Sequence, residues 1–253
     1  MSNKIAIVTG ATSGIGRATA LRFAREGIGV FAVGRNETAL SRLSDECSGL
    51  AGEVRAFRAD LSDRSQIEGL AAAAVEEFGR LDILVNAAGV IKNGSIETTS
   101  LEDWDLMLNI NLDSVFQLTQ KCVPFLVESK GNIVNVSSVT GLRAFPNVLA
   151  YCVSKAAIDQ FTRCVSLELG PAGVRVNAVN PGVVVTNLHK RGGMSDEAYE
   201  KFLDNAGNTH PIGRAGTPEE VAELIAFLAS DQASWITGVT YSIDGGRAQT
   251  CAR

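Results

Sequence analysis

Short apolar runs rich in β-branched residues recur along the whole chain and alternate with segments of helical spacing. The runs are KIAIVT, GVFAVG, VRAFRA, LDILVN, NIVNVS, VRVNAV and VTYSID. Strands that alternate with helices pair in parallel, because each helix carries the chain back across the sheet and covers one of its faces. The pattern therefore predicts an α/β fold, in which a doubly wound parallel sheet of seven strands is flanked by helices on both faces.

No repeat, low-complexity tract or linker interrupts this alternation, and we expect a single domain over residues 1–253. One helix has clear boundary signals, because TPEE at 217–220 supplies a cap, a proline at the first helical position and a capping-box glutamate. Its predicted end is at Ser230-Asp231. The segment from about 183 to 216 lacks strong periodicity, and we expect a loop there that overhangs a ligand crevice.

Composition excludes several classes of protein. Hydrophobic residues make up 45% and charged residues 20% of the chain, which is ordinary for a globular protein. The net charge of −5 and the scattered basic residues predict no nucleic-acid partner, and no apolar run approaches the roughly 20 residues that span a bilayer. The five cysteines are odd in number and lack metal-ligand spacing, so we expect a cytoplasmic protein without disulfides or a metal site.

The first predicted strand leads directly into a glycine-rich turn, TGATSGIGR, and a helical segment follows. Gly10, Gly14 and Gly16 allow the backbone to turn tightly and approach a pyrophosphate, while the helix N-terminus offers free N–H groups. Three glycines by themselves also fit an ordinary turn. The preceding strand and the following helix are the context that a dinucleotide site requires, so we expect one here, with Ser13 adding a hydroxyl.

The end of the second predicted strand distinguishes the two nicotinamide dinucleotides. An NAD site offers an Asp or Glu about 20 residues beyond the glycines, whereas an NADP site needs a cation for the 2′-phosphate. Here the strand ends in Gly34-Arg35-Asn36, without a carboxylate, and the planar guanidinium of Arg35 suits a phosphate. The alternative is that Arg35 simply begins a solvated helix. We predict NADP(H) as the cofactor.

Tyr151 and Lys155 lie four residues apart at the start of a helical segment, so their side chains share one face. A phenol with a pKa of about 10 is a slow acid or base at neutral pH, and a nearby ammonium lowers that pKa. We therefore hypothesise that Tyr151 exchanges a proton with a substrate oxygen while Lys155 tunes it. By itself such a pair is more often two neighbours on a helix surface.

Several motifs occur together in order and in register: TGATSGIG, NAAG, Ser138 before Tyr151-x-x-x-Lys155, and NPG at 180–182. In this the chain resembles the single-domain branch of the short-chain dehydrogenase/reductase family, and GRAGTPEEVAELIAFLASDQASWITGVTYSIDGG is similar to the C-terminal segment of that branch. The resemblance covers essentially the whole chain. It implies a Rossmann fold and an oxidoreductase.

The resemblance implies a catalytic tetrad of Asn111, Ser138, Tyr151 and Lys155. In such enzymes Tyr is the acid and base, Ser hydrogen-bonds the substrate oxygen, Lys binds the nicotinamide ribose and lowers the pKa of Tyr, and Asn supports a proton-relay water. Each role suits the hydrogen-bonding capacity of the side chain. Taken alone, Ser138 also fits a cap on the turn after a strand, and Asn111 a polar residue tolerated in a helix.

The resemblance further implies which residues contact the cofactor. Asp60 and Leu61 flank the adenine, Thr186 is the partner of the nicotinamide carboxamide, and the small residues of NAAG at 86–89 form a floor beneath the cofactor. The expected cofactor contacts are Gly10, Thr12, Ser13, Gly14, Ile15, Gly16, Arg35, Asp60, Leu61, Asn86, Ala87, Ala88, Gly89, Tyr151, Lys155, Pro181, Gly182, Val184 and Thr186.

The implied reaction is the NADPH-dependent reduction of a ketone or aldehyde to an alcohol, or its reverse. The chain is similar to 3-oxoacyl carrier-protein reductases. Bacterial members commonly carry two arginines that grip the acidic carrier, and Ser129 and Ala172 stand at those places here, which favours a free small carbonyl compound. Two alternatives remain: a regulatory or sensor protein that binds NADP without turnover, and an isomerase or lyase that uses transient hydride transfer.

Phe145, Leu142, Val148 and Leu188 are expected to line the substrate side, which indicates a fairly apolar ligand. Two other side chains, those of Arg143 and His189, could bind an acidic group, although such loop residues are more often solvated. The histidines form no metal set with nearby Cys, Asp or Glu. Members of this branch are homotetramers or homodimers that pair through the helices bearing Asn111 and Tyr151 and through the C-terminal helix and strand, and we expect the same here.

Overall fold

The computed structural model describes residues 4–250, in which the seven predicted runs form one sheet. The strands are β1 (Ile5–Thr9), β2 (Gly29–Gly34), β3 (Val54–Arg58), β4 (Ile83–Asn86), β5 (Asn132–Val136), β6 (Arg175–Pro181) and β7 (Thr240–Ile243). All six pairings are parallel, in the order β3-β2-β1-β4-β5-β6-β7. The predicted fold class is confirmed.

The strand order reverses at the centre of the sheet, between β1 and β4. β1 pairs with β2 through Thr9 opposite Val33, and with β4 through Val8 opposite Val85. The loops that follow β1 and β4 therefore leave the sheet in opposite directions and open a crevice at their carboxyl ends. Ligands of doubly wound sheets bind at such a reversal, and this is where the glycine-rich turn lies.

Helices cover both faces of the sheet. They are α1 (Gly14–Arg25), α2 (Glu37–Glu46), α3 (Arg64–Glu68), α4 (Leu70–Phe78), α5 (Leu101–Leu108), α6 (Ser114–Ser129), α7 (Val139–Leu142), α8 (Leu149–Leu169), α9 (Leu188–Arg191), α10 (Asp196–Thr209) and α11 (Pro218–Ala229). A π-helical turn at Asn109–Asp113 joins α5 to α6. The capping box of α11 is present, with Thr217 and Glu220 bonding reciprocally, and Ser230 is the C-cap, so the predicted boundaries are confirmed.

The alternation of side chains along the strands builds two separate apolar cores. On β1, Ala6 and Val8 point to the core shared with α1, α2 and α11, whereas Ile7 between them points to the core shared with α4, α6 and α8. Because a parallel sheet is buried on both faces, its central strands read as continuous apolar runs. Both cores hold the strand ends in place, and the crevice residues project from those ends.

The segment from 183 to 216 is not the irregular loop that was expected. It contains the short helix α9 and the fourteen-residue helix α10. Ser195 caps α10 by accepting a hydrogen bond from the N–H of Ala198, and Tyr199 and Ala206 are buried one above the other at helical spacing. The cap, the two acidic residues that follow it and the helical spacing of Tyr199, Phe202, Leu203 and Ala206 were readable signals of this helix.

No helix among residues 4–250 is long and apolar enough to cross a membrane. Cys47, Cys122, Cys152 and Cys164 are free thiols, and Cys251 lies outside the described residues. Within the described part of the chain, no cluster of His, Cys, Asp and Glu has the arrangement of a metal site. The expectation of a single domain over 1–253 extends beyond the described residues and stays a prediction.

Candidate active site

The glycine-rich turn between β1 and α1 brings two loops into close contact. Gly10 has a φ of +66°, and a Cβ on it would lie 2.9 Å from the carbonyl oxygen of Ala87. A Cβ on Gly16 would lie 2.6 Å from the carbonyl oxygen of Gly10. Both distances are shorter than van der Waals contact, so glycine is required at each position. Ser13, the N-cap of α1, makes no side-chain capping bond, which leaves N–H groups of the first turn for an anion.

Thr9 ties this turn to the loop that follows β4. Its hydroxyl oxygen accepts hydrogen bonds from the N–H groups of Ala87 and Ala88, at 3.0 and 3.1 Å, and its O–H lies 3.3 Å from the carbonyl oxygen of Val85. The backbone of the NAAG segment is thereby fixed beside Gly10. Thr9 was not among the predicted site residues, although a polar residue at the end of an otherwise apolar strand is a signal that could have identified it.

Asn86 faces away from the crevice, contrary to its expected place in the cofactor floor. Its side-chain N–H donates to Asn135 Oδ1 at 2.9 Å and lies 3.5 Å from Thr119 Oγ1. Asn135 in turn donates to Thr162 Oγ1. Side chains alternate along a strand, so the last residue of β4 points into the core while its successors Ala87–Gly89 line the crevice. The amide thus joins β4, β5, α6 and α8 inside the protein.

Arg35 and Asp60 stand together at one end of the crevice, where β2 and β3 finish. The Arg35 guanidinium is 59% exposed, and its Nη1 lies 3.8 Å from Asp60 Oδ2. Partial burial raises the pKa of the Asp60 carboxyl, but hydrogen bonds from the N–H and O–H of Ser62 and the charge of Arg35 outweigh it, and the pKa is lowered. Asp60 is therefore ionised at neutral pH, and the exposed guanidinium remains available to a phosphate.

Ser138, Tyr151 and Lys155 come together at the centre of the crevice. Ser138 follows β5, and its hydroxyl accepts a hydrogen bond from the N–H of Thr140, so it also caps α7 as its alternative role suggested. Tyr151 and Lys155 lie on the first turns of α8, and both are buried. Burial raises the pKa of Tyr151 to about 12, and a hydrogen bond with Ser138 acts in the opposite direction.

Lys155 is held by the backbone of β5. Its ammonium donates to the carbonyl oxygen of Val136 at 2.8 Å and lies 5.6 Å from the centroid of the Tyr151 ring. Burial lowers the pKa of Lys155 to about 8, and the charge of Asp159 opposes that shift. The expected lowering of the Tyr151 pKa by Lys155 is not seen in this geometry, because the ammonium lies over the ring and burial of the phenol dominates.

A buried carboxylate supports this centre from the next turn of α8. Both oxygens of Asp159 lie 3.0 Å from the side-chain nitrogen of Asn180, which also donates to the carbonyl oxygen of Ser138 at 2.9 Å. The Ser137 hydroxyl donates to the carbonyl oxygen of Lys155. The ends of β5 and β6 and the helix that carries Tyr151 are thus joined by hydrogen bonds, which fixes Ser138 relative to Lys155.

Asn111 lies in the π-helical turn between α5 and α6 and is 1% exposed. Its side-chain oxygen accepts from the N–H of Val90 at 2.9 Å, while its nitrogen donates to the carbonyl oxygen of Val90 and to Ser154 Oγ, each at 3.0 Å. Single π-helical turns often mark functional sites, because the extra residue redirects a side chain. Here the redirected amide joins α8 to the loop after β4, behind the crevice wall.

The loop after β6 forms the wall opposite the glycine-rich turn. Tyr199 of α10 donates its hydroxyl to the carbonyl oxygen of Thr186 at 2.7 Å and accepts from the N–H of the same residue at 3.1 Å. His210 Nε2 accepts from the N–H of Val183. A Cβ on Gly14 would lie 3.0 Å from Thr186 Cγ2, so the two walls nearly touch. α10 therefore positions this loop, a role that was not predicted because this segment was expected to be an irregular loop.

Three of the four apolar residues expected to line the substrate side of the cavity do so. Phe145, Val148 and Leu188 border the cavity, but Leu142 does not and is exposed. The guanidinium of Arg143 donates from Nη1 to the carbonyl oxygens of Ala248 and Thr250 in the C-terminal segment. Arg143 does not border the cavity, so the alternative in which it binds an acidic group of the ligand is not supported.

Two other basic side chains border the same half of the cavity. The imidazole of His189 packs 4.5 Å from the ring of Phe202, centroid to centroid, and burial lowers its pKa, which favours a neutral ring over an anion-binding cation. Arg247, which follows β7, lies on the lining, although no motif or spacing in the sequence distinguishes it from the other arginines. Its guanidinium carbon is 5.2 Å from the centroid of Phe145.

One cavity of about 790 Å³ connects these parts, from Arg35 at one end past Ser138 and Tyr151 to Phe145 at the other. All the predicted catalytic and cofactor-binding residues line it except Asn86 and Asn111, which lie behind its wall. Its size and its elongated set of lining residues suit a dinucleotide together with a small substrate. The Gly10 cradle and the free first turn of α1 suit the pyrophosphate of such a cofactor.

Comparisons with known proteins agree with this arrangement. A family model described as enoyl-(acyl carrier protein) reductase matches residues 10–248. A 3-oxoacyl-[acyl-carrier-protein] reductase of Thermotoga maritima is 41% identical over 247 residues, which are 97% of this chain and 98% of that protein. A meso-2,3-butanediol dehydrogenase of Serratia marcescens is 38% identical over 96% of this chain and 94% of its own length.

A solved structure has the same fold at high similarity. It is a short-chain dehydrogenase/reductase of unknown function from Caenorhabditis elegans, described with cofactor, with a TM-score of 0.92 and 37% identity over 99% of this chain and 97% of that one. Fold and site thus define an α/β oxidoreductase of the class that binds a nicotinamide dinucleotide. The chain belongs to the short-chain dehydrogenase/reductase family. The activities for which its relatives are named differ, so the family is shared and a substrate is not.

Proposed function

We propose that this protein interconverts a ketone or aldehyde and the corresponding alcohol with NADP(H), and that Tyr151 is the general acid and base. The observation that carries the proposal is that Ser138, Tyr151 and Lys155 line the same cavity as the glycine-rich turn. A bound nicotinamide cofactor supplies or accepts a hydride. The protein then has to orient the carbonyl group and move one proton at its oxygen.

The protonation state of Tyr151 suits an acid in the reductive direction. Since burial raises its pKa to about 12, the phenol keeps its proton at neutral pH. It donates this proton to the substrate oxygen as negative charge develops there, while the Ser138 hydroxyl hydrogen-bonds the same oxygen. In the reverse direction the phenolate has to accept a proton, so alcohol oxidation is favoured at higher pH. With a pKa of about 8, Lys155 is still largely an ammonium at pH 7 and stabilises that phenolate.

In this proposal Asn111 is a positioning residue that links the loop after β4 to α8 through hydrogen bonds. Its amide binds Val90 and Ser154, and a Cβ on Gly89 would lie 3.4 Å from its side-chain oxygen and 3.7 Å from Lys155 Nζ. It therefore keeps the loop after β4 next to the catalytic lysine. Its role in supporting a proton-relay water stays a prediction, as does the ribose contact of Lys155.

The choice of NADP over NAD rests on Arg35. The end of β2 offers this exposed guanidinium and no carboxylate, and Asn36 is occupied in capping α2. A guanidinium binds phosphate with paired hydrogen bonds, and the acid that an NAD site places on the ribose hydroxyls is missing at this position.

Arg35→Ala should weaken NADP binding at least tenfold and NAD binding little, measured by fluorescence titration. Arg42→Ala, on the exposed face of α2, is the matched control. Equal losses for both cofactors would refute the phosphate contact.

A second candidate function is the reduction of 3-oxoacyl groups carried on acyl carrier protein, which the name of the Thermotoga maritima relative favours. Ser129 is the last residue of α6, and its hydroxyl donates to the carbonyl oxygen of Leu81 and lies 3.3 Å from that of Leu126. Ala172 lies in the turn before β6. Neither position offers a cation to an acidic carrier. We therefore favour free substrates, and comparing a 3-oxoacyl group on the carrier with the same group on a short thiol decides between the two.

The principal test is oxidation of NADPH in the presence of a panel of ketones and aldehydes. Tyr151→Phe should lower kcat roughly 10²- to 10⁴-fold while leaving NADPH binding intact, because only the proton donor is lost. Tyr241→Phe is the matched control, since Tyr241 lies on β7 and does not border the cavity. Bound NADPH with no turnover in the panel, and no effect of Tyr151→Phe, would leave a regulatory or sensor protein. Conversion of the substrate without net oxidation of NADPH would indicate an isomerase or lyase.

We also infer a homotetramer or homodimer in a reducing, cytoplasmic compartment. Large apolar side chains are exposed on the surfaces expected to pair, namely Phe116 on α6, Leu167 on α8 and Phe227 on α11. The four free thiols of the described residues suit a reducing compartment. Light scattering tests the oligomer, and a monomer with unchanged activity would contradict it. Cell fractionation tests the location.

A further inference from the structure

The C-terminal segment after β7 is built to hold one side chain over the substrate half of the cavity. The carboxylate of Asp244 accepts from the N–H groups of Gly246 and Ala248, at 3.0 and 2.6 Å, and so closes the turn. Arg143 binds the carbonyl oxygen of Ala248 at 2.9 Å from the other side. These bonds fix the backbone on both sides of Arg247, whose side chain lines the cavity.

The described residues position the guanidinium of Arg247 but do not neutralise it. Within this part of the chain it donates one hydrogen bond, to the carbonyl oxygen of Thr209 at 3.2 Å, and it lies against the face of Phe145. Among residues 4–250 no carboxylate lies within ion-pair distance of it. An arginine carries five N–H donors, so most of those of Arg247 have no partner among residues 4–250.

Apart from Asp60, every described Asp, Glu, Lys and Arg on the cavity lining is a cation. Lys92 and Arg191 border the cavity, and neither forms an ion pair with a described residue. Asp60 is the only carboxylate on the lining within the described part of the chain, and it lies beside Arg35 at the opposite end. Asp244 is near Arg247 in sequence, but its oxygens are bound to the backbone. Clefts lined by one sign of charge concentrate ligands of the opposite sign.

We propose that the substrate is an oxo acid, in which Arg247 binds a carboxylate while the ketone lies at Ser138 and Tyr151. This rests on the proposed reductase function and names the substrate class. Phe145, Val148 and Leu188 line the region between the two ends and suit an apolar body. The planar fork of an arginine matches a carboxylate with paired hydrogen bonds, and stacking on Phe145 holds that fork in place.

The test compares straight-chain oxo acids, in which the ketone lies progressively farther from the carboxylate, with their methyl esters. Acid and ester share the ketone and the apolar body and differ in charge. For the chain length that fits, kcat/KM of the wild-type enzyme should be roughly 10- to 100-fold higher for the acid, the value of a hydrogen bond to a charged group. This comparison needs no variant and holds even if an altered C-terminal segment folds poorly.

Variants then assign the preference to Arg247. Arg247→Gln should bring the acid-to-ester ratio of kcat/KM close to one, and Arg247→Lys should restore part of it, because the charge returns without the fork. Arg42→Gln removes a charge on the exposed face of α2 and should leave the ratio unchanged. An ester used as well as its acid, or a ratio unaffected by Arg247→Gln, overturns the proposal.

The outcomes separate this proposal from the reductase function. Turnover of neutral ketones without preference for any acid overturns the anion site and leaves the reductase intact. Absence of turnover with every carbonyl compound overturns the reductase. In that case calorimetric titration with the same acids and esters still decides whether Arg247 binds a carboxylate. If the acid binds more tightly than its ester and Arg247→Gln removes this difference, the site is supported. If acid and ester bind equally tightly, the site is refuted.

Discussion

The contact between the glycine-rich turn and the NAAG segment can be measured with Gly10→Ala. Gly10 has a φ of +66°, which costs an alanine about 1 kcal/mol, and its new Cβ would also lie 2.9 Å from both Ala87 O and Ala88 Cα. Those atoms belong to backbone that Thr9 holds through two hydrogen bonds, so they cannot move away without losing them. Overpacking of this kind costs about 1–3 kcal/mol in addition to the backbone strain.

Gly79→Ala is a matched control, because Gly79 has a φ of +80° at the end of α4 and a Cβ placed on it would meet no atom within 4 Å. It carries the backbone strain without the overlap. We expect Gly10→Ala to lower the free energy of unfolding in urea by about 1–3 kcal/mol more than Gly79→Ala. NADPH binding, followed by fluorescence, should weaken only in Gly10→Ala. Equal loss of stability in the two variants would refute the close approach of the two loops.

Two further predictions concern ionisation. His210 is neutral, since Nε2 accepts from Val183 N–H and Nδ1 donates to the carbonyl oxygen of Ala206, and burial lowers its pKa below 6.5. As the pH falls through the pKa of an unfolded histidine, the native state therefore binds fewer protons than the unfolded state, and stability should fall. The fall should be less steep in His210→Gln, and an unchanged slope in thermal unfolding would contradict this. The charge of Asp159 raises the pKa of Lys155 against the effect of burial. Asp159→Asn should therefore move the alkaline limb of the pH profile of kcat to lower pH. Glu168→Gln, on the exposed side of α8, is the control and should leave that limb in place. An alkaline limb at the same pH in Asp159→Asn would show that this carboxyl carries no charge near the lysine.

The resemblance to short-chain dehydrogenases/reductases supplied the grouping of Ser138 with Tyr151 and Lys155, because each of these residues alone also fitted a structural role. The residues by themselves were sufficient for the parallel sheet, the glycine-rich turn and the capped helix at Pro218–Ala229. These features depend on local rules: strand and helix periodicity, capping, and the turn chemistry of glycine. They also depend on residues that stand at strand ends, where a parallel sheet brings distant parts of the chain to one edge. Such information is readable along the chain.

Tertiary structure alone decided which way individual side chains face and what they bind. Asn86 turns into the core, Arg143 binds carbonyl oxygens of the C-terminal segment, and Arg247 borders the cavity without any sequence signal that marked it. Burial rather than the neighbouring ammonium sets the direction of the Tyr151 pKa. Sequence spacing determines which residues share an element, but desolvation and hydrogen-bond partners depend on neighbours that are remote in sequence, and these become defined only when the elements pack.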